Sequence, residues 1–186
     1  MTKQIEPNLI QLTDDQHEFL DHVCQLMESY FARDIRRVAH AHDVKKHALN
    51  LLSYIDADPV VTLAAAYLHD IGIPEAERKF GRCDGKLQEQ EGPPVARTLL
   101  ADLGADDVLI DTVCELVGNH HTARAIDTPE FRILWDADAL VNLAEVVEGK
   151  KSYAVESILN KALVTEPGFQ MAQQIYLSRS QENKQV

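Results

Sequence analysis

The amino-acid sequence predicts an all-α fold, in a single compact domain over residues 1–186. Apolar residues recur every three or four positions along most of the chain, which is the spacing of one helix face, and alternating strand patterns are scarce. A length of 186 residues fits one domain of ordinary size and leaves no room for two large ones. The chain contains no internal repeat and no linker that would divide it.

Three helices are predicted in the first 70 residues. Thr13 and Gln16 have the spacing of a capping box, which marks the start of a helix, and apolar residues continue this first helix over 13–31. A second helix carries apolar residues over 44–55. An Asp-Pro pair has the character of an N-cap followed by a first helical residue, so a third helix is expected over 58–68.

The next segment, 75–92, lacks apolar periodicity and contains three glycines. It is predicted to be a long loop, and loops of this length in compact domains are often functional. Pro93 and Pro94 are expected to open the fourth helix, with Gly104 as its stop. Further helices are predicted over 106–117, 131–147, 153–164 and 168–179, followed by a polar tail over 180–186.

Charge and cysteine content exclude several classes of protein. The 18 basic and 30 acidic residues give a net charge of −12, which disfavours binding to a nucleic acid polymer. Three widely spaced cysteines exclude a disulfide scaffold and a CxxC motif, and they suggest a reducing compartment. The N-terminal residues contain no secretory signal, and the longest apolar run is too short to cross a bilayer. A cytoplasmic protein without a membrane partner is expected, and its oligomeric state is open.

Two of the eight histidines occupy positions that suggest chemistry. His40 shares a face of the second helix with Val44 and Leu51, and a hydrogen bond to a backbone carbonyl would account for it. His69 and Asp70 end an apolar helix, where an aspartate is costly unless it is paired, bonded to backbone N–H groups or bound to a metal. Neither position alone identifies a metal site.

An aspartate on the predicted sixth helix is a further candidate metal ligand, beside His40, His69 and Asp70. Asp138 shares a helical face with Leu134 and Val141, so its carboxylate is expected to point inward. Asp136 also has apolar neighbours, so periodicity does not choose between the two aspartates, and either could cap or bridge to a basic residue. Two histidines and two aspartates from three helices offer nitrogen and hard oxygen ligands, which suit Mn, Fe, Mg, Ni or Zn.

These residues form an ordered pattern: His40 with Val44 and Ala48, then His69-Asp70-Ile71-Gly72, then Ala137-Asp138 with Leu140. The pattern, within residues 36–144, resembles the HD-domain metal-dependent phosphohydrolase superfamily. The resemblance implies a helical bundle with a divalent metal held by His40, His69, Asp70 and Asp138. It selects Asp138 over Asp136, and it selects His40 over His42 and His47. It also implies that His69 and Asp70 are catalytic, with Asp70 accepting the proton of a water molecule.

Members of this superfamily with two metals carry further histidines between the positions that correspond to His69-Asp70 and to Asp138. His120 and His121 stand where one of these histidines is expected, and Glu91 stands where another usually lies. All three are therefore candidate ligands of a second ion. The alternatives are that Glu91 stabilises a helix dipole and that the two histidines are exposed after a helix end. Whether the protein holds one ion or two is open.

Four basic residues follow His69-Asp70 within the predicted loop: Arg78, Lys79, Arg82 and Lys86. Lying over the metal, they would contact phosphate oxygens and act as a lid. The alternative is a solvated loop with scattered ion pairs. Arg36, one turn before His40, is placed to reach the same cavity, or to form a salt bridge at the surface.

The resemblance implies hydrolysis of a nucleotide or other small phosphorylated metabolite by metal-activated water. Two other functions stay open at this point. One is an HD-type oxygenase with two irons, for which the additional ligand candidates argue. The other is a non-catalytic module that binds a metal or a nucleotide as a sensor or scaffold.

Overall fold

A computed structural model describes residues 7–122 and 126–177, and these residues form nine α-helices and no β-strand. The all-α prediction is confirmed. The polar tail predicted over 180–186 lies outside the described residues. The helices are α1 (Asp14–Phe31), α2 (Ile35–Leu52), α3 (Pro59–Leu68), α4 (Ile73–Phe80), α5 (Gly85–Asp102), α6 (Asp107–Val117), α7 (Pro129–Val147), α8 (Ser152–Ala162) and α9 (Glu166–Tyr176).

Helix α3 lies at the centre of the fold and packs against α1, α2, α6 and α7. Every residue from Val60 to Leu68 is buried, as expected of a helix that is apolar on all sides. The Asp58 carboxylate accepts hydrogen bonds from the backbone N–H groups of Val60 and Val61, which satisfies donors that the helix itself leaves free. The fully buried α3 delivers the residues at its end, including His69, into the interior.

The prediction of a long loop over residues 75–92 is wrong, because most of this segment belongs to α4 and to the first half of α5. The segment is rich in glutamate, lysine, arginine and glutamine, which favour a helix even without an apolar stripe. The Arg78 side chain pairs with Glu75 one turn earlier on α4, and such pairs support a short helix. The lack of apolar periodicity in this segment was therefore not evidence against a helix.

The expectation that Pro93 and Pro94 open a helix is also wrong, since both lie inside α5. Proline inside a helix costs about 3 kcal/mol, so packing must hold the helix together here. Gly72 lies so close to α5 that a Cβ on it would be 2.5 Å from both Gln88 O and Gly92 N. This close backbone contact, together with the burial of Gly92, fixes α5 against the turn before α4.

No described helix combines the length and the apolar character that a bilayer span requires. The second helix begins nine residues before the predicted stretch 44–55, because α2 runs over Ile35–Leu52. Two other predicted helix starts hold. The capping box of Thr13 and Gln16 is present at the start of α1, and the third helix has its predicted Asp-Pro start and its predicted end.

Candidate metal centre

The end of α3, the following turn, α2 and α7 bring four side chains to one place. His40 Nε2 lies 3.1 Å from His69 Nε2 and 3.1 Å from Asp138 Oδ1. Asp70 Oδ2 lies 3.5 Å from His69 Nε2 and 3.6 Å from His40 Nε2. Residues separated by about a hundred positions in the sequence thus present two ring nitrogens and two carboxylates to the same small volume.

Backbone hydrogen bonds orient two of the histidines toward this volume. His69 Nδ1 lies 2.9 Å from the carbonyl oxygen of Ala66, and His120 Nδ1 lies 2.7 Å from that of Val117. Each Nδ1 must donate its proton to the carbonyl, so each neutral ring leaves a lone pair on Nε2. This arrangement is the usual one for a histidine that binds a metal.

His120 is buried, so the alternative that it is exposed after a helix end is wrong. Its Nε2 has no hydrogen-bond partner among the described residues and lies 3.5 Å from Asp70 Oδ1. His121 is exposed, and its Nε2 lies 2.7 Å from Gln88 Oε1. Asp70 therefore faces His40 and His69 with one oxygen and His120 with the other, as a carboxylate shared by two ions would.

Glu91 lies in the middle of α5 rather than near a helix N-terminus, so the dipole explanation for it is wrong. Its side chain is buried, and its Oε2 lies 2.5 Å from Lys79 Nζ. Gln90 Nε2 donates to its other oxygen, Oε1, at 3.0 Å. The assignment of Glu91 as a ligand of a second ion stays a prediction.

The two aspartates of α7 that periodicity did not separate have different surroundings. The Asp136 carboxylate accepts hydrogen bonds from Val164 N (2.8 Å), Thr165 N (2.9 Å) and Thr165 Oγ1 (2.5 Å). Asp136 thereby ties α7 to the start of α9. Asp138 lies at the cluster of histidines, where Asn142 Nδ2 donates to its Oδ1 at 2.8 Å. The carboxylate that the family pattern selects is the one that meets His40.

The charges of the cluster favour a cation. Burial alone would raise the pKa of Asp70 and of Asp138, but nearby histidines outweigh it and hold both pKa values below the ordinary range. Burial lowers the pKa of His69, which keeps its imidazole neutral. Burial would also lower the pKa of His40, but Asp138 and Asp70 raise it above the usual value. Ionised carboxylates and a neutral imidazole are the protonation states that a metal requires.

A cavity of about 770 Å³ opens beside the cluster, between α2 and α7. Five carboxylates and two guanidiniums line it, so it carries an excess of three negative charges while its histidines are neutral. The two cations are Arg36 and Arg37, and Arg37 already bonds to Glu77 at 2.6 Å. An anionic substrate would be repelled from this cavity unless bound cations offset the carboxylates.

Four basic residues were expected from the sequence to lie over the metal. None of them is among the described residues that line this cavity. Arg78 pairs with Glu75, Lys79 bonds to Glu91, Arg82 pairs with Asp84, and Lys86 is exposed. Their role in binding phosphate stays a prediction.

Sequence reasoning missed some residues that contact the cluster or line the cavity. Asn142 follows Asp138 by four residues on the same helix, and this spacing is a signal that was available. Gln88 and Arg37 also line the cavity. Gln88 lies in the segment predicted as a loop, so only the helical register of α5 places it there.

The donor set fits a divalent metal ion. The cluster combines imidazole nitrogens with carboxylate oxygens from separate helices, and one set of ligand atoms, from His40, His69 and Asp70, lies within 4.8 Å of one another. A second set, from Asp70, His120 and His121, meets the same criterion. The buried Nε2 of His120 has no hydrogen-bond partner among the described residues, and an ion would satisfy such an atom.

Comparisons with known proteins give a family match and two similar folds. The family model described as HD domain matches residues 35–143. A predicted HD superfamily hydrolase from an uncultured Thermotogales bacterium is similar in structure, with 24% identity, a TM-score of 0.59, and coverage of 91% of this chain and 88% of the other. YpgQ of Bacillus subtilis is also similar, with 15% identity, a TM-score of 0.62, and coverage of 92% and 97%. A comparison with curated proteins gives no match.

Proposed function

The chain belongs to the HD-domain family, and we propose that it is a metal-dependent phosphohydrolase acting on a nucleotide or another small phosphorylated metabolite. The observation that carries the proposal is the convergence of His40 and His69 with Asp70 and Asp138. The name of the Thermotogales protein, a predicted HD superfamily hydrolase, is consistent with hydrolysis.

In this proposal His40, His69, Asp70 and Asp138 hold a divalent ion. When bound, such an ion polarises a phosphoryl oxygen and lowers the pKa of water. Asp70 accepts a proton from the attacking water, and His69 fixes the position of the centre through its bond to a backbone carbonyl. Asn142 donates to Asp138 Oδ1 and so orients that carboxylate.

The positions of the two carboxylate oxygens of Asp70 support a second ion. Its Oδ1 lies toward His120, while its Oδ2 lies toward His40 and His69. We assign His120 and His121 to this second position. Two divalent ions would turn the cavity's excess of three negative charges into an excess of one positive charge, which attracts phosphate.

The substrate class follows from the cavity. A volume of about 770 Å³ lies within the range of small-molecule pockets, which suits a nucleotide or a sugar phosphate. Arg36 and Arg37 lie in the wall of the cavity, and guanidinium groups bind phosphate oxygens through paired N–H donors. Arg36 is the stronger candidate because Arg37 is engaged by Glu77 and Asp34.

The proposal is tested by measuring release of phosphate and pyrophosphate from nucleotides and sugar phosphates, with one divalent metal at a time. We expect turnover of at least one substrate, its loss with a chelator, and its recovery when metal is added back. Metal-loaded protein that hydrolyses none of these substrates would refute it. Oxygen consumption with iron-linked visible absorbance would point instead to the oxygenase, and tight nucleotide binding without turnover to the non-catalytic module.

Replacing Arg36 by alanine is expected to raise KM for the phosphorylated substrate by about tenfold or more, with little change in kcat. A charged hydrogen bond contributes about 1.5–3 kcal/mol, and each 1.4 kcal/mol is about a factor of ten. Steady-state kinetics of R36A, compared with R78A and K86A, measure the effect. A larger rise in KM for R78A or K86A would favour the cations of α4 and α5 over those of the cavity wall.

A further inference from the structure

A second cluster of metal-binding side chains lies on another face of α2. Cys24 and Glu28 are one turn apart on α1, and His42 comes from α2. Glu28 Oε1 lies 2.8 Å from His42 Nε2 and 3.8 Å from Cys24 Sγ. All three ligand atoms lie within 4.8 Å of one another. Because His42 follows His40 by two residues, the two imidazoles leave the helix in different directions.

We propose that Cys24, Glu28 and His42 form a second metal site, separate from the histidine–aspartate centre and suited to zinc. The three residues supply one sulfur, one oxygen and one nitrogen, which is a donor set that zinc accepts, with water in the fourth position. The histidine–aspartate centre, in its described residues, offers nitrogen and oxygen donors. The thiolate therefore distinguishes the two sites chemically, because soft ligands select different metals from hard ones.

The observed separations require a small adjustment. Zinc bonds of about 2.0–2.3 Å in a tetrahedron place neighbouring ligand atoms about 3.3–3.6 Å apart. The Glu28–His42 pair is therefore slightly too close and the Glu28–Cys24 pair slightly too far. The side chains of His42 and Glu28 are 42% and 46% exposed, so both have room to move by these fractions of an ångström.

The surroundings of Cys24 support a thiolate ligand. The Tyr67 hydroxyl forms a hydrogen bond with the Cys24 sulfur, and such partners orient metal ligands. Burial, followed by the charges of Glu28 and Asp21, raises the pKa of the Cys24 thiol above its usual value, although the bond from Tyr67 lowers it, so the thiol without an ion is protonated. A bound divalent ion would deprotonate the thiol, and the charges of thiolate and carboxylate would then balance those of the ion. Asp21, one turn before Cys24, adds further negative charge nearby.

Two of the three proposed ligands lie outside the matched domain, and the third, His42, lies within it. Cys24 and Glu28 both precede residue 35, where the match to the HD domain begins. An ion held here would join α1 to α2, the helix that carries His40. Its effect on the protein would be to fix α1 against α2.

Cobalt substitution tests the site, because a cobalt–thiolate bond gives a charge-transfer absorption that nitrogen and oxygen ligands do not give. We expect this band in the wild-type protein and in the matched control Cys83→Ser. We expect its loss in Cys24→Ser and its reduction in His42→Gln, with zinc content in both falling by about one ion per chain. Circular dichroism checks that each variant is folded.

Asp138→Ala separates this proposal from the proposed function. That variant should lose activity and keep the cobalt–thiolate band, because Asp138 is not part of the second site. The proposal is overturned if the wild-type protein shows no such band, if the band survives Cys24→Ser, or if zinc content is the same in wild type and in both ligand variants. The last result would leave the three residues as a hydrogen-bonded group without an ion.

Discussion

Replacing Asp138 by alanine is expected to reduce phosphate release by about a thousandfold or more. The loss follows because a metal contributes several kcal/mol to such a transition state, and each 1.36 kcal/mol is a factor of ten in rate. Asp138 supplies a carboxylate oxygen 3.1 Å from His40 Nε2, and alanine leaves nothing in its place. Steady-state rates and elemental analysis of the same preparation measure both activity and metal content.

The matched control for this variant is Asp102→Ala, which removes an exposed aspartate at the end of α5. It is expected to keep the rate and the metal content of the wild-type protein. Unchanged turnover in Asp138→Ala would contradict the assignment of Asp138 as a ligand.

Replacing Asp136 by alanine is expected to lower the free energy of unfolding by about 2–4 kcal/mol, because three partly buried donors lose their acceptor and each such loss costs about 1 kcal/mol. The Asp136 carboxylate accepts three hydrogen bonds, from Val164 N, Thr165 N and Thr165 Oγ1. The alanine variant leaves these donors facing an apolar group. Urea denaturation of the wild type and the variant, at equal protein concentration, measures the difference.

Asp136→Asn is the informative comparison, since it keeps the shape and one acceptor oxygen and should cost less than alanine. Metal content per folded chain should stay at the wild-type value in both variants. A variant of Asp136 that keeps its stability but loses the metal would reverse the roles assigned to Asp136 and Asp138.

Local signals predicted most of the helices. The prediction failed at α4, although its residues favour a helix locally, and at Pro93 and Pro94, where tertiary contacts decide. The start of α3 follows from Asp58 and Pro59 alone, because a cap and a fixed φ angle act over a few residues. The helical path through Pro93 and Pro94 depends instead on the contact between Gly72 and the backbone of α5. Nothing within the segment itself reveals that contact.

In the candidate metal centre, too, local signals predicted some features and left others open. Helical periodicity brought His40 and Asp138 to buried faces, but it left Asp136 as an equal candidate, and only the family pattern chose between the aspartates. In the structure, Asp136 neither caps a helix nor bridges to a basic residue, but accepts hydrogen bonds from Val164 and Thr165 before α9. Asn142 was missed although its spacing of four residues from Asp138 places the two side chains next to each other on one helix.

The cluster of Cys24, Glu28 and His42 was not foreseen. The spacing of Cys24 and Glu28 on α1 is visible in the sequence, but the approach of His42 depends on how α1 packs against α2. The rotation of one helix about its axis decides whether a side chain meets the neighbouring helix or points to solvent.

The decisive measurement is anomalous diffraction from crystals of the protein grown with manganese, recorded at the manganese absorption edge. We expect a strong anomalous peak enclosed by the side chains of His40, His69, Asp70 and Asp138. Well-ordered crystals in which these four side chains surround no peak, while the manganese lies elsewhere on the protein, would contradict the assignment of this cluster as the metal centre.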